Sequence, residues 1–361
     1  MPAWRPGGDF TVGVEDELLM VGDDGQLLGR AAATVLASVQ REDSSGTITP
    51  EIFLDEVELG TPVCSDAQEL VSSLAALREE VGRTVALMGV GVHPSAVFGT
   101  AHATPSPRYD RLVREFAGLF RTPTAGFQVH VGVTDPDTAM LVYRGLRNRL
   151  PLLRALAAGS PYWHSRDSGL ACARSAILRS YPRTTMPPVL RSWEQYVETI
   201  ERQMWTAEVP NYTFVCWELR PQPRLGTIEV RVMDAQHSLA RVAGLTALVQ
   251  GIARHAVEVP DRADLPDDVL LADDFAACRY GLDARIVDRD GSRRRLREVG
   301  GQTLVEAHRM LTPQGHADPL HIVESMLSGQ PEYTRQRRLC EERGMGALLG
   351  DLVSRTMRVD I

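Results

Sequence analysis

Six side chains able to hold hard cations recur in four stretches of otherwise apolar, β-branched sequence. They are Glu15 and Glu17 in GVEDELL, Glu58 in EIFLDEVEL with Glu51 at its start, His130 in FQVHVGV, and Glu229 in TIEVRVM. Side chains alternate between the two faces of a strand, so Glu15 and Glu17 share a face while Val14, Asp16 and Leu18 take the other. Val129, Val131 and Val133 likewise oppose His130, and Ile228, Val230 and Val232 oppose Glu229 and Arg231. Ile52, Leu54, Glu56 and Glu58 share a face less cleanly. A single strand glutamate is ordinarily a solvated residue, and a lone histidine a hydrogen-bonded one. Glutamate is a poor strand former, however, and repeated carboxylates facing one another repel unless cations lie between them. Magnesium takes carboxylate oxygens at about 2.1 Å, and manganese suits the same set with one imidazole. The pattern predicts a polynuclear magnesium site.

Stepping out from these groups, strands are expected over Thr11 to Val21, Ile52 to Leu59, Gly89 to Phe98, Phe127 to Val133, Asn211 to Leu219 and Gly226 to Met233. Asp66, with Glu69 three residues on, caps a helix whose Leu70, Leu74, Leu77, Val81 and Val85 repeat at helical spacing. Asp135-Pro136 starts a long helix reaching Ala158 with a bend at Pro151. Further helices are expected near Leu190 to Met204 and Leu239 to Val257, and over most of the chain from Asp267 onward. Ser160 to Tyr181 shows no clear period, and the proline-rich segment to Pro188 reads as a mobile loop. Strands and helices without regular βαβ alternation indicate an α+β fold with an antiparallel-rich sheet, read as one catalytic domain over residues 1–361.

Composition removes whole mechanisms. All 39 basic residues are arginine, against 47 acidic ones, for a net charge of −8 in 361 residues. Without lysine there is no Schiff-base chemistry and no G-x-x-x-x-G-K-[ST] loop, so a nucleotide phosphate must meet arginine, backbone amides or metal ions. The negative balance argues against nucleic acid, and the run Arg293, Arg294, Arg295, Arg297 reads as a solvated loop. Five scattered cysteines without C-x-x-C fit reduced thiols in the cytoplasm rather than a disulfide framework or zinc knuckle. The opening MPAWRPGGDF does not read as a signal peptide, and no apolar run approaches the roughly 18 residues of a membrane span.

Taken in order, GVEDELL, EIFLDEVELGTPVC, GFQVHVGV, SPYWHSRDSGLACARS, GTIEVRVMDAQ and AACRYGLDA resemble the motifs of the glutamate–cysteine ligase superfamily. The likeness is to its YbdK-like, type 2 branch of carboxylate–amine ligases, and it runs across most of the chain. It implies a fold like the catalytic domain of glutamine synthetase and the guanidino kinases. In that fold a curved, largely antiparallel sheet forms a funnel holding ATP and two or three magnesium ions, with helices packed outside. It also implies ATP-dependent amide formation through an acyl phosphate, with glutamate and cysteine as the default pair. Matched by motif, Glu15, Glu17, Glu51, Glu58, His130 and Glu229 fall at metal positions. Arg231 would face the transferred phosphoryl group, and Arg174 matches an arginine of the substrate and phosphate region. Where the branch often has E-E-E followed by Phe, this chain has E-D-E followed by Leu, and alternation turns Asp16 away from the site. Partners are then small-molecule carboxylates and amines, with a homo-oligomer compatible and neither nucleic acid nor membrane involved. Phosphoryl transfer without ligation, or a non-catalytic metal- or nucleotide-binding relative, are the competing readings.

Overall fold

In the computed structural model, which describes residues 1–119, 121–260 and 263–359, the acid-bearing strands are neighbours in one sheet. Its strands are β1 (Val12–Val21), β2 (Arg41–Asp43), β3 (Gly46–Pro50), β4 (Glu56–Gly60), β5 (Ala86–Met88), β6 (Gly126–Gly132), β9 (Leu219–Gln222) and β10 (Thr227–Asp234). The small hairpin β7 (Tyr162–Trp163) and β8 (Arg166–Asp167) lies between β6 and β9 in the chain. The order is β2-β3-β4-β1-β6-β10-β9, with β5 pairing the end of β1, and every pairing is antiparallel. A second ribbon joins β11 (Arg285–Val287) to β12 (Arg293–Arg295).

Alternation divides the sheet into two chemically different faces. The valines of β6 and the apolar residues of β10 are fully buried in the main core, over which helices pack. Among the chain's first four helices, α1 (Ala32–Val39), α2 (Ala67–Gly82), α3 (Pro107–Phe116) and α4 (Pro136–Arg147), α2 packs on β1 and α4 on β10. Next come α5 (Leu150–Ala157), α6 (Ala173–Leu178), α7 (Trp193–Thr206) and α8 (Leu239–Glu258), and α8 lies against β6, α2 and α4. The remaining helices are α9 (Asp267–Tyr280), α10 (Leu296–Leu311), α11 (Leu320–Ser328) and α12 (Glu332–Thr356). Of these, α10 and α11 pack outside α8, and α12 packs on β5. α2 forms where expected: the Asp66 carboxylate accepts from the backbone N–H of Gln68 and Glu69 at 2.8 and 2.9 Å, satisfying two orphan donors of the first turn. Its buried stripe includes Leu70, Leu74, Leu77 and Val81. Among the described residues no helix is long and apolar enough to cross a membrane, and all five cysteines are free.

Several expectations need correction. Residues 89–98 are not a strand. Strand β5 precedes them, and the chain beyond it packs its glycines closely, Gly89 against the Gln236 backbone and Gly91 against the Asp234 carboxylate. Pro94 supplies no N–H to a ladder. Residues 211–218 hold a 3₁₀ turn, Tyr212–Phe214, capped by the Asn211 side chain, and the strand starts only at Leu219. That strand contains Pro221, which a sheet edge tolerates. The long helix breaks at Asn148 and Arg149, so Pro151 falls in the first turn of α5 rather than at a bend. Residues 52–55 form a turn, and β4 begins at Glu56. The segment 160–181, untyped from sequence, carries the β7–β8 hairpin and α6. Arg293, Arg294 and Arg295 form strand β12 rather than a loop. In the proline-rich segment, the carbonyls of Pro187 and Pro188 accept from Arg147 Nε and the Tyr143 hydroxyl at 2.9 and 2.7 Å.

Candidate metal and phosphate site

Register brings the acids together. Glu17 of β1 stands directly opposite Glu58 of β4, while His130 of β6 is opposite Gly13 on one side and Glu229 of β10 on the other. One ligand atom each from Glu15, His130 and Glu229 lies within 4.8 Å of the others. His130 Nε2 is 3.3 Å from Glu15 Oε1, and Nδ1 meets the Thr227 hydroxyl at 2.9 Å, which fixes the ring's orientation. A cavity of about 240 Å³ opens beside this trio. Its lining includes Glu15, Glu17, Glu51, Glu58, Arg174 and Arg231 together with the apolar Phe53, Leu112, Phe116 and Trp217. All eight residues singled out from sequence thus meet at one place, six on the cavity wall and His130 with Glu229 just behind Glu15.

Burial and mutual repulsion dominate the electrostatics. Burial lifts the Glu58 carboxyl well above the usual range, and Glu15, Glu51 and Glu17 lift it further. Glu51 is pushed up to about 7 by burial and then by the charge of Glu17, although the Tyr109 hydroxyl donates to it at 3.2 Å. Glu17 is raised by burial despite Arg174 and Arg231 nearby. Burial and mutual repulsion both disfavour charge on these carboxyls, and a cation among them would relieve both. The donor set, several carboxylates and one imidazole, fits magnesium or manganese.

Glu229 differs from the rest. Burial works against its charge, but Arg220, Arg231 and His130 outweigh it and hold the carboxyl below its ordinary value. Arg220 Nε donates to Oε2 at 3.0 Å, Gln222 Nε2 to the same oxygen at 2.5 Å, and Arg231 Nη1 to Oε1. Both of its oxygens already have cationic partners. The Arg220 and Arg231 guanidiniums balance its charge.

Local backbone features aim these groups. Between Val230 and Met233 the β10–β6 register slips, so that Arg231 and Val232 together face the single residue Gln128. Such a bulge re-aims side chains beside sites. Gly126 packs directly under the Arg174 guanidinium: a Cβ there would press on it and crowd Glu17 Oε2, so the Arg174 side chain would have to shift. The sequence reading missed Gln128, Tyr109, Arg220, Gln222 and Thr227. Gln128 shares a face with His130 by alternation and was readable. Arg220 was not, because the strand LRPQ carries no period-two signal.

Comparison with known proteins follows the same lines. The model of the family described as "Glutamate-cysteine ligase family 2 (GCS2)" matches residues 11–342. A protein of Rubrobacter xylanophilus named "Putative glutamate--cysteine ligase 2-3" is 35% identical over 292 residues, 79% of each chain. A second from that organism, numbered 2-1 under the same name, is 32% identical over 345 residues, covering 93% of this chain and 91% of the other. Among solved structures, the glutamate–cysteine ligase of Francisella tularensis in complex with AMP aligns with a TM-score of 0.73. It covers 99% of this chain and 89% of that one at 13% identity, a likeness of fold.

Proposed function

Because the chain belongs to glutamate–cysteine ligase family 2, we propose that its acid-walled cavity performs ATP-dependent carboxylate–amine ligation, with glutamate and cysteine as the default substrates. The observation that carries this reading is the convergence of Glu15, Glu17, Glu51, Glu58, His130 and Glu229 with Arg174 and Arg231 around one cavity. Ligation in this class runs through an acyl phosphate: a substrate carboxylate takes the γ-phosphoryl group of ATP, and an amine then displaces phosphate to form the amide. Magnesium or manganese, when bound, supplies charge neutralisation for the phosphate oxygens.

The chain's own residues do the rest. Glu15, Glu17, Glu51, Glu58, His130 and Glu229 would hold the cations, Thr227 keeps His130 Nε2 directed at Glu15, and Arg231 presents a planar guanidinium to transferring oxygens. Arg174 stands beside Glu17 on the same wall and can bind a second anionic group of substrate or phosphate. No side chain is assigned as base for the amine, since the acyl phosphate is already activated.

The test is ADP release from ATP and magnesium with glutamate, across a panel of amines including cysteine. Amine-dependent ADP release with a new amide bond is expected. Release that ignores the amine and phosphorylates an acceptor would replace ligation by simple phosphoryl transfer, and no release with any pair would leave a binding protein.

A further inference from the structure

Gln128 is a buried polar residue, 2% exposed, standing between the strand of the acids and the strand of the arginine. It pairs with Glu15 across β1 and lies opposite the bulge at Arg231 across β10. Its side-chain amide bonds both ways at once: Nε2 donates to Glu17 Oε1, and Oε1 accepts from Arg231 Nη1. A carboxylate only accepts and a guanidinium only donates, so the partners fix which end of the amide faces which.

A neutral side chain with one donor end and one acceptor end, of this length, is what can join that anion and that cation while holding them apart. The Arg231 charge already acts on Glu17, and without the amide the two side chains would be drawn together. Arg231 would swing toward Glu17, leave its place beside Glu229, and occupy the oxygen that a cation needs. We propose that Gln128 is a positioning residue, a dipolar spacer that keeps Glu17 free for metal and Arg231 free for the phosphoryl group. The phosphoryl role rests on the ligase reading, whereas the spacing of anion from cation does not. The simpler role for a buried strand glutamine is to satisfy its own amide, and this predicts lost stability with unchanged chemistry in whatever folds.

Two variants separate the roles. Gln128→Met keeps length and volume but has neither bond. Gln128→Glu can still accept from Arg231 but cannot donate to Glu17. For each, steady-state ADP release gives kcat and the KM for ATP, calorimetry gives Mn²⁺ affinity of the nucleotide-free protein, and thermal unfolding reports the fold. For Gln128→Met the expectation is a fall in kcat on the order of 10²-fold with a much smaller change in KM, as when transition-state charge loses its partner. Mn²⁺ affinity should weaken about tenfold or more, in the range seen when an orienting partner of a ligand is removed. Gln128→Glu should also lose kcat while binding Mn²⁺ at least as tightly as wild type, because it adds charge beside Glu17. A Gln128→Met protein with wild-type kcat and Mn²⁺ affinity overturns the proposal, whatever its melting temperature. If Gln128→Met does not fold, wild-type kcat in Gln128→Glu does the same. A wild-type protein that releases no ADP sinks the ligase reading instead, and Mn²⁺ affinity then still decides the spacing.

Discussion

Glu17 and Glu58 face each other across β1 and β4, both raised by burial and by neighbouring carboxylates. Replacing either with glutamine removes a cation ligand and some repulsion together. Glu17→Gln and Glu58→Gln should therefore lose ADP release while metal-free thermal unfolding stays at or slightly above wild type. Turnover near wild type in either variant would take that residue out of the site. At Arg231, burial opposes the charge but Glu229, Glu15 and Glu17 keep it firmly protonated. A lysine there would keep charge without the planar fork, so Arg231→Lys should lower kcat on the order of 10²-fold with ATP affinity little changed. If calorimetric ATP affinity collapses while kcat holds, Arg231 binds the ground state and does not act on the transferring group.

At the scale of elements, β1 carries two different messages on its two faces. Alternation correctly turns Asp16 away from the acids, but it does not show what lies there. Asp16 is fully buried against Arg78 of α2 at 2.8 Å, and Arg78 also donates to the Gln236 carbonyl at 2.8 Å. Burial raises the Asp16 carboxyl even with Arg78 beside it, so the pair adds little net stability, yet breaking it strands a buried guanidinium. Asp16→Asn should thus destabilise by about 3–5 kcal/mol in urea unfolding, while the activity of the folded fraction falls by less than about tenfold. Equal stability would mean that Arg78 finds another partner. The same contrast explains what was legible. FQVHVGV and TIEVRVM announce their faces because half their residues are apolar at period two. The bulge at Arg231, the arginine on LRPQ and the partner of Asp16 are set by which strand or helix comes alongside, and that is long-range information no local pattern contains. Residues 89–98 misled for a related reason: Val90 and Val92 are buried while Val97 and Phe98 are exposed, and the glycines serve close packing rather than a ladder.

At the scale of the whole molecule, α12 carries a buried acid at its first turn that gathers donors from both ends of the same helix and lies 3.9 Å from His237. Glu332 accepts from Arg335 at 2.8 and 2.9 Å, from Gln336 at 3.1 Å and from Arg355 at 3.2 Å. Burial opposes its charge, but His237, Arg335 and Arg355 prevail and bring the carboxyl down to about 2. The unfolded carboxyl takes up a proton at a higher pH than the folded one. The stabilisation is therefore complete above about pH 4.5 and is lost as pH falls toward 2, on the order of 3 kcal/mol in all. Urea unfolding of wild type and Glu332→Gln from pH 7 to pH 3 should show their stability difference shrinking with acidification, and a difference independent of pH would remove the linkage.

The strand order has a further consequence, in time rather than in space. β1 needs β6 beside it, and the acid face is incomplete until β10 arrives with Glu229 and Arg231. About 200 residues separate β1 from β10, which at roughly 5–20 residues per second of synthesis amounts to about 10–40 s. Throughout that interval the nascent chain carries Glu15 and Glu17 without the Glu229 and Arg231 that complete their face. Shorter fragments should accordingly be poor binders of metal, and the ability to hold a cation should appear in a single step, with the last central strand.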